Sequence, residues 1–156
     1  MSESQVARVV HQIFEGIQYL RSLGIAHRDL KPANILLDKS QNASEGIQVK
    51  ITDFGLSKIF DPSEKQLDSC GTLSYIAPEV LTKQGYSHEV DVWSVGCILY
   101  KMLTDTAPFA ASSQKGIIHR ILESTPDFRM NTFCYCSKES KDLLSRLLTK
   151  DPKHRI

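Results

Sequence analysis

Four short stretches hold most of the residues that could do chemistry. His27-Arg28-Asp29-Leu30-Lys31-Pro32-Ala33-Asn34 gathers a carboxylate, an ammonium and an amide; Asp53-Phe54-Gly55, Ala77-Pro78-Glu79 and Asp91-Val92-Trp93-Ser94-Val95-Gly96 follow in that order. Asp29, Asn34 and Asp53 present hard oxygen atoms, the donors that hard cations take. Lys31 adds a positive charge close to Asp29. Any one stretch alone carries little weight. The cysteines Cys70, Cys97, Cys134 and Cys136 form no Cys-x-x-Cys pair, and no histidine stands at zinc-finger spacing, so they read as reduced thiols. His11, His88, His119 and His154 have no partner pattern and read as surface residues.

Positioning such groups takes a scaffold, and 156 residues are enough for one core. Hydrophobic residues make up 41% and charged residues 24%, which argues against a disordered tail. No apolar run nears the roughly 18 residues of a membrane span. The start Met1-Ser2-Glu3-Ser4-Gln5 lacks the basic and apolar regions of a secretory leader, so the expected location is the cytoplasm, with the nucleus open. A net charge of +1, with both halves near balance, argues against nucleic acid or a membrane surface as partner. Asn42-Ala43-Ser44 fits a glycosylation triplet, a pattern that often arises by chance.

Val6, Val9, Val10, Ile13, Phe14, Ile17 and Leu20 recur at helical spacing behind a Ser2–Gln5 capping box, which predicts a helix over 3–22 with Gly24 as its stop. Ile25 to Pro32 reads as a polar, charged loop. Residues 34–38 and 47–52 read as short strands joined by a polar connection, a hairpin with a long loop. From Gly55 to Pro78 periodicity is lost, which predicts a loop, and loops of this length are usually functional or disordered. Residues 91–104 are apolar on almost every side and predict a buried helix. Two more helices are expected over 112–123 and 137–149.

In this order, and on these elements, the four stretches resemble the protein kinases, and the resemblance covers essentially all 156 residues. It implies an α+β fold, mainly α: the C-terminal, larger lobe of the kinase fold, with a short β-hairpin carrying the catalytic loop and the Asp-Phe-Gly turn. It implies transfer of the γ-phosphate of ATP to a protein hydroxyl, with ATP and Mg2+ as cofactors and protein substrates as partners. Phosphoryl transfer asks for positioning and charge neutralisation more than covalent help. By resemblance, Asp29 accepts or orients the substrate hydroxyl proton, Lys31 reaches the transferred phosphate, and Asn34 and Asp53 hold the metal. Thr72 bridges Asp29 and Lys31, and Leu36 is the floor under adenine, in an apolar column with Ile35, Leu37, Ile98 and Met102. His27 and Phe54 stack in the other, regulatory apolar column. Asp91 accepts backbone N–H bonds from the His27–Arg28 turn, and Glu79 pairs with Arg155. Lys50, on the strand before Asp53, is not the ATP-binding lysine.

The His-Arg-Asp-Leu-Lys-Pro-x-Asn pattern is that of serine/threonine kinases; tyrosine kinases carry Ala and Arg within the stretch that is Lys31–Ala33 here. Lys50–Lys58 and Cys70–Val80 are similar to the calcium/calmodulin-dependent kinase group, and checkpoint-type and calcium-dependent-type members both fit. Calmodulin or another calcium sensor stays open as a partner, but no EF-hand loop or calmodulin-target helix is present in the sequence.

The departures matter equally. No Gly-x-Gly-x-x-Gly, no Val-Ala-x-Lys lysine and no hinge is present, parts that in the family belong to an N-terminal lobe ahead of residue 1. The last helix of the family domain lies beyond Ile156. Residues 1–156 are therefore expected to be a partial kinase domain, inactive by itself, with the missing N-terminal lobe as its partner. In an isolated lobe Leu36 and Ile98 would face water. The alternative is a truncated, non-catalytic, kinase-like binding module. Ala33 and Lys101 stand where arginine-selecting relatives carry acids. In many relatives a threonine eleven residues before the glutamate of Ala77-Pro78-Glu79 is phosphorylated and pairs with the arginine next to the catalytic aspartate. Counting back from Glu79 lands on Asp68, so Asp68 is expected to pair with Arg28 and to order the activation loop without phosphate; Ser69 or Thr72 as the switch is the competing assignment.

Overall fold

The computed structural model describes residues 1–39, 46–60, 66–129 and 131–156. The triplet Asn42-Ala43-Ser44 lies outside the described residues. Helix α1 (Glu3–Ser22) starts on a reciprocal cap: Gln5 N–H donates to Ser2 Oγ at 3.3 Å, and Ser2 N–H to Gln5 Oε1 at 2.9 Å. Its buried stripe is Val6, Val9, Val10, Ile13, Ile17 and Leu20.

Past Gly24 the chain enters β1 (Ile25–Ala26), which pairs antiparallel with β4 (Lys58–Ile59) in the register Ile25↔Ile59. Two expectations are corrected here. Neither 25–32 nor 55–78 is loop throughout, and a short 3-10 turn, Leu73–Tyr75, interrupts the second stretch as well. A two-residue strand is too short to display alternation, and its partner is remote in sequence. Strands β2 (Ile35–Lys39) and β3 (Ile47–Ile51) form the hairpin, with Ile35 opposite Ile51.

Among the described residues, the helices that follow are α2 (Pro78–Leu81), α3 (Glu89–Thr104), α4 (Gln114–Glu123) and α5 (Lys138–Leu147). Ser113 and Ser137 cap the last two. Helix α3 starts ahead of the expected residue 91, because Glu89 and Val90 already belong to its first turn. It is the axis of the core, with Trp93, Val95, Cys97, Ile98, Leu99 and Tyr100 all buried. Each large apolar side chain taken out of water contributes about 1.5–3 kcal/mol. Gly96 lets α5 approach: a Cβ there would lie 2.9 Å from both Leu147 Cβ and Leu148 Cδ2. Trp93 stacks on Phe109 with centroids 5.4 Å apart. Glu3 ties α1 to α5 by accepting from the Ser137 amide and from the Ser137 and Ser140 hydroxyls. The two hydroxyls hold the Glu3 carboxyl below its ordinary range.

Mainly helical, with two small two-stranded sheets, the architecture agrees with the expected class. Two residues sit elsewhere than expected. His88 is half-buried, its ring 5.1 Å from that of Phe60 and its Nδ1 3.1 Å from Ser87 Oγ, because it lies at the entrance of a buried helix. Ile98 does not face water: it is 2% exposed, whereas Leu36 is 51% exposed. Helix α3 is covered on the side of Ile98, whereas the hairpin leaves Leu36 and Leu37 exposed.

Candidate functional site

The loop between β1 and β2 is shaped by a buried carboxylate. Asp91, in the first turn of α3, accepts His27 N–H at 2.7 Å and Arg28 N–H at 2.9 Å. Arg28 lies at φ 69°, a left-handed backbone that a side-chain-bearing residue adopts at a cost of about 1–3 kcal/mol. Two hydrogen bonds to a carboxylate are worth enough to hold it there. The same turn aims His27 at Phe54, with ring centroids 5.0 Å apart, while His27 Nε2 lies 3.0 Å from Thr52 O.

Asp29 follows, 8% exposed. Its Oδ1 accepts Thr72 N–H at 2.9 Å and Thr72 O–H at 2.8 Å; its Oδ2 accepts Lys31 Nζ at 2.6 Å. Lys31 also donates to Thr72 Oγ1 at 3.1 Å. Thr72 reaches this position because Gly71 precedes it. Gly71 has φ 101°, and a Cβ there would lie 2.7 Å from Arg28 O. Burial works to raise the Asp29 pKa, but the Lys31 and Thr72 donors together outweigh it and hold the carboxyl below its ordinary range.

A 3-10 turn, Pro32–Asn34, leads into β2 and buries Asn34. Asn34 Nδ2 donates to Asp29 O at 2.9 Å, which leaves Oδ1 as the atom it has to offer a cation. Thr52 N–H donates to Asn34 O at 2.9 Å, so the residue before Asp53 is pinned to Asn34. Asp53 itself is exposed, at φ 64°. An amide oxygen and a carboxylate at one end of a hairpin suit a hard divalent cation that completes its shell with other oxygens. The donor set fits Mg2+.

The structure thus brings Asp29, Lys31, Asn34 and Thr72 into one hydrogen-bonded group, with Asp53 next to it. Leu36 and Leu37 are exposed on the hairpin, and Ile35 and Met102 are half-buried. Asp68 lies 3.8 Å from Arg28 Nη1 and 3.5 Å from Lys58 Nζ, and Ser69 is exposed outside this pair. Lys58 was missed in the sequence: only its pairing on β4 brings it under Asp68. Tyr86 was missed too; its hydroxyl lies 3.1 Å from Arg28 Nη1, and no local motif marks it. Farther out, Glu79 and Arg155 form a bidentate pair at 2.6 and 2.9 Å.

A sequence profile described as "Protein kinase domain" matches residues 1–156. Among curated proteins, the chain is 44% identical over 154 residues to a probable myosin light chain kinase of Dictyostelium discoideum, covering 99% of this chain and 43% of that protein. It is 41% identical over 155 residues to myosin light chain kinase A of the same organism, covering 99% and 52% respectively. It is also 41% identical over 155 residues to calcium-dependent protein kinase 4 of Arabidopsis thaliana, covering 99% and 30%. The chain spans about half, or less, of the length of these relatives.

Proposed function

Because the chain belongs to the protein kinase family, with serine/threonine kinases of the myosin-light-chain and calcium-dependent kinds among its relatives, we propose that it serves transfer of the γ-phosphate of ATP to protein serine or threonine hydroxyls. In this reading residues 1–156 are the larger, C-terminal lobe of a kinase domain, completed by an N-terminal lobe that carries the remaining nucleotide contacts. The observation that carries it is the Asp29 carboxylate, buried and held jointly by Lys31 and Thr72.

Asp29 Oδ1 accepts two donors at 2.9 and 2.8 Å, whereas Oδ2 accepts Lys31 at 2.6 Å and has Asn34 Nδ2 only at 3.5 Å, so Oδ2 has the room to accept a substrate hydroxyl. With its pKa held low, Asp29 stays anionic and orients that hydroxyl, taking its proton as the phosphate bond forms. Lys31 swings between Asp29 and the transferred phosphate, where its charge offsets the charge that develops. Asn34 and Asp53 would hold Mg2+, which would supply charge neutralisation at the nucleotide phosphates. Leu36, exposed on β2, covers the apolar face of adenine. A calcium sensor on the complete protein fits the relatives' names.

The test is Asp29→Asn in the full-length protein. It should lower kcat by about 10²–10⁴ with little change in substrate KM, the range for a positioned base. Retention of more than a third of wild-type turnover removes Asp29 from this role.

A further inference from the structure

Tyr86 has no part in the chemistry above, yet it touches both chain segments that fix Asp29. It is 4% exposed. Its backbone exchanges two hydrogen bonds with Gln66, at 3.0 and 3.2 Å, and its ring meets Phe60 edge-on at 6.1 Å. Its hydroxyl lies 3.1 Å from Arg28 Nη1 and 3.8 Å from Cys70 Sγ.

Arg28 immediately precedes Asp29. Cys70 lies two residues before Thr72, whose amide and hydroxyl bind Asp29 Oδ1. A ring therefore closes through Asp29, Thr72, Cys70, Tyr86 and Arg28. A guanidinium can only donate, so the phenol oxygen accepts from Arg28, and the same hydroxyl shares a hydrogen bond with the Cys70 sulfur, in which either atom can donate. Burial pushes the phenol pKa up, which keeps the phenol proton in place.

The other holds on the Arg28 side chain differ in kind. Nε donates to Leu56 O at 2.6 Å and fixes the root of the group. Asp68 approaches Nη1 only to 3.8 Å, shares its carboxylate with Lys58, and has a side chain 65% exposed. An ion pair that open to solvent is weak and screened. The phenol is buried and closer.

We propose that the Tyr86 hydroxyl is a permanent latch between the catalytic loop and the activation segment, with Asp68 as a secondary hold on the same guanidinium nitrogen. Tyr86 is a positioning residue in this scheme: it acts on Asp29 through Arg28 and Cys70. The proposal rests on the kinase reading for its effect on catalysis, not for the latch itself.

The experiment takes the full-length protein as wild type, Tyr86→Phe, Asp68→Ala and the double variant. Phe keeps the ring against Phe60 and removes only the hydroxyl. Each protein is measured for kcat, for KM of MgATP, and for amide hydrogen exchange across residues 66–72. Tyr86→Phe should lose about 10-fold in kcat, the scale of one hydrogen bond to a charged group. Asp68→Ala should lose about 2–3-fold, and KM for MgATP should stay within about twofold in both. The double variant should lose more than the product of the singles, because each hold substitutes for the other at Nη1. Exchange at the Thr72 amide should quicken about 10-fold in Tyr86→Phe while α3 keeps its protection. Wild-type exchange at Thr72, strictly multiplicative losses, or faster exchange spread evenly over α3 would each overturn the latch. A wild-type protein that transfers no phosphate sinks the kinase reading instead. The latch is then decided by exchange alone: quickening at Thr72 supports it and an unchanged rate overturns it.

Discussion

Glu79→Ala tests how much the segment after Gly71 depends on one buried ion pair. The Glu79 and Arg155 side chains are 3% and 0% exposed. All five N–H groups of Arg155 are used. Nε donates to Thr149 O at 2.9 Å, Nη1 to Glu79 Oε1 at 2.6 Å and Glu89 O at 2.9 Å, and Nη2 to Glu79 Oε2 at 2.9 Å and Lys150 O at 3.0 Å. The guanidinium also lies 5.1 Å from the centroid of the Trp93 ring. Removing the carboxylate leaves a buried cation with no counter-charge, which costs about 3–5 kcal/mol. That is a large part of the roughly 5–15 kcal/mol by which a domain is stable. With a urea dependence near 2 kcal/mol per molar, the midpoint should fall by about 2 M. Trp93 is the chain's single tryptophan and lies under Arg155, so its fluorescence reports the transition. Arg155→Lys should be costly as well, because an ammonium has three donors and cannot fork onto both Glu79 oxygens. The double variant Glu79→Ala/Arg155→Ala should cost clearly less than the sum of its single changes, since the second removal relieves the stranded charge. A loss below about 1 kcal/mol in Glu79→Ala would mean that water reaches Arg155, and the argument from burial would be refuted.

Three further outcomes follow from the same geometry. Phosphatase-treated full-length protein should be active as wild type and weakened about 2–3-fold as Asp68→Ala, and Asp68→Thr should be weakened likewise and regain that loss on phosphorylation; full activity in Asp68→Ala with loss in Ser69→Ala would move the switch to Ser69. If Ala33 and Lys101 stand where arginine-selecting relatives carry acids, as the resemblance implies, a peptide array should show no preference for arginine two residues before the acceptor, and strong selection for arginine there would overturn that assignment. Glu3 has its pKa depressed below the ordinary 4.5 by Ser137 and Ser140, so its stabilising contribution is present above that value and is lost as pH falls through the folded pKa. Thermal unfolding of wild type and Glu3→Gln should therefore differ at neutral pH and converge in acid; a difference that persists in acid would point to packing instead.

What periodicity and spacing carried was local: the Ser2–Gln5 cap, the stripe of α1 and the unbroken apolar surface of α3 each sit within a few positions of the residues that explain them. The remote pairs that were anticipated, Asp91 with the His27–Arg28 turn, Thr72 with Asp29 and Glu79 with Arg155, came from the family resemblance and not from the local pattern. The hairpin ends fell within a residue of their places because β2 and β3 are neighbours in sequence. What stayed hidden depends on remote pairing. Lys58 reaches Asp68 only after β4 has found β1, and Tyr86 reaches Arg28 only after the activation segment has folded back along Gln66. Periodicity carries no trace of either event. His88 and Ile98 were misjudged for the same reason, since burial is a property of what covers a residue and not of the residue itself.

Of the four described non-glycine residues with left-handed backbones, Lys83 and Asp105 follow the ends of α2 and α3, and the other two lie where the chemistry is proposed. Arg28 and Asp53 are both left-handed without being glycine, at 69° and 64°, and they bracket the hairpin that carries Asn34. Such backbones persist only where their surroundings over-determine them. Around Arg28 the determinants are visible: two bonds from its turn to Asp91, one to Leu56 O and one to Tyr86. Around Asp53 there is less. Its carboxylate accepts Gly55 N–H at 3.4 Å, and the pin from Thr52 to Asn34 acts one residue earlier. Asp29 and Asn34 are therefore held by more bonds than Asp53, and the two residues proposed for the cation differ: Asn34 is buried and bonded to Asp29, whereas Asp53 is exposed. This difference suits the proposed reaction, because Asp29 must meet each substrate hydroxyl in one geometry, whereas Asp53 faces a nucleotide-borne cation that comes and goes.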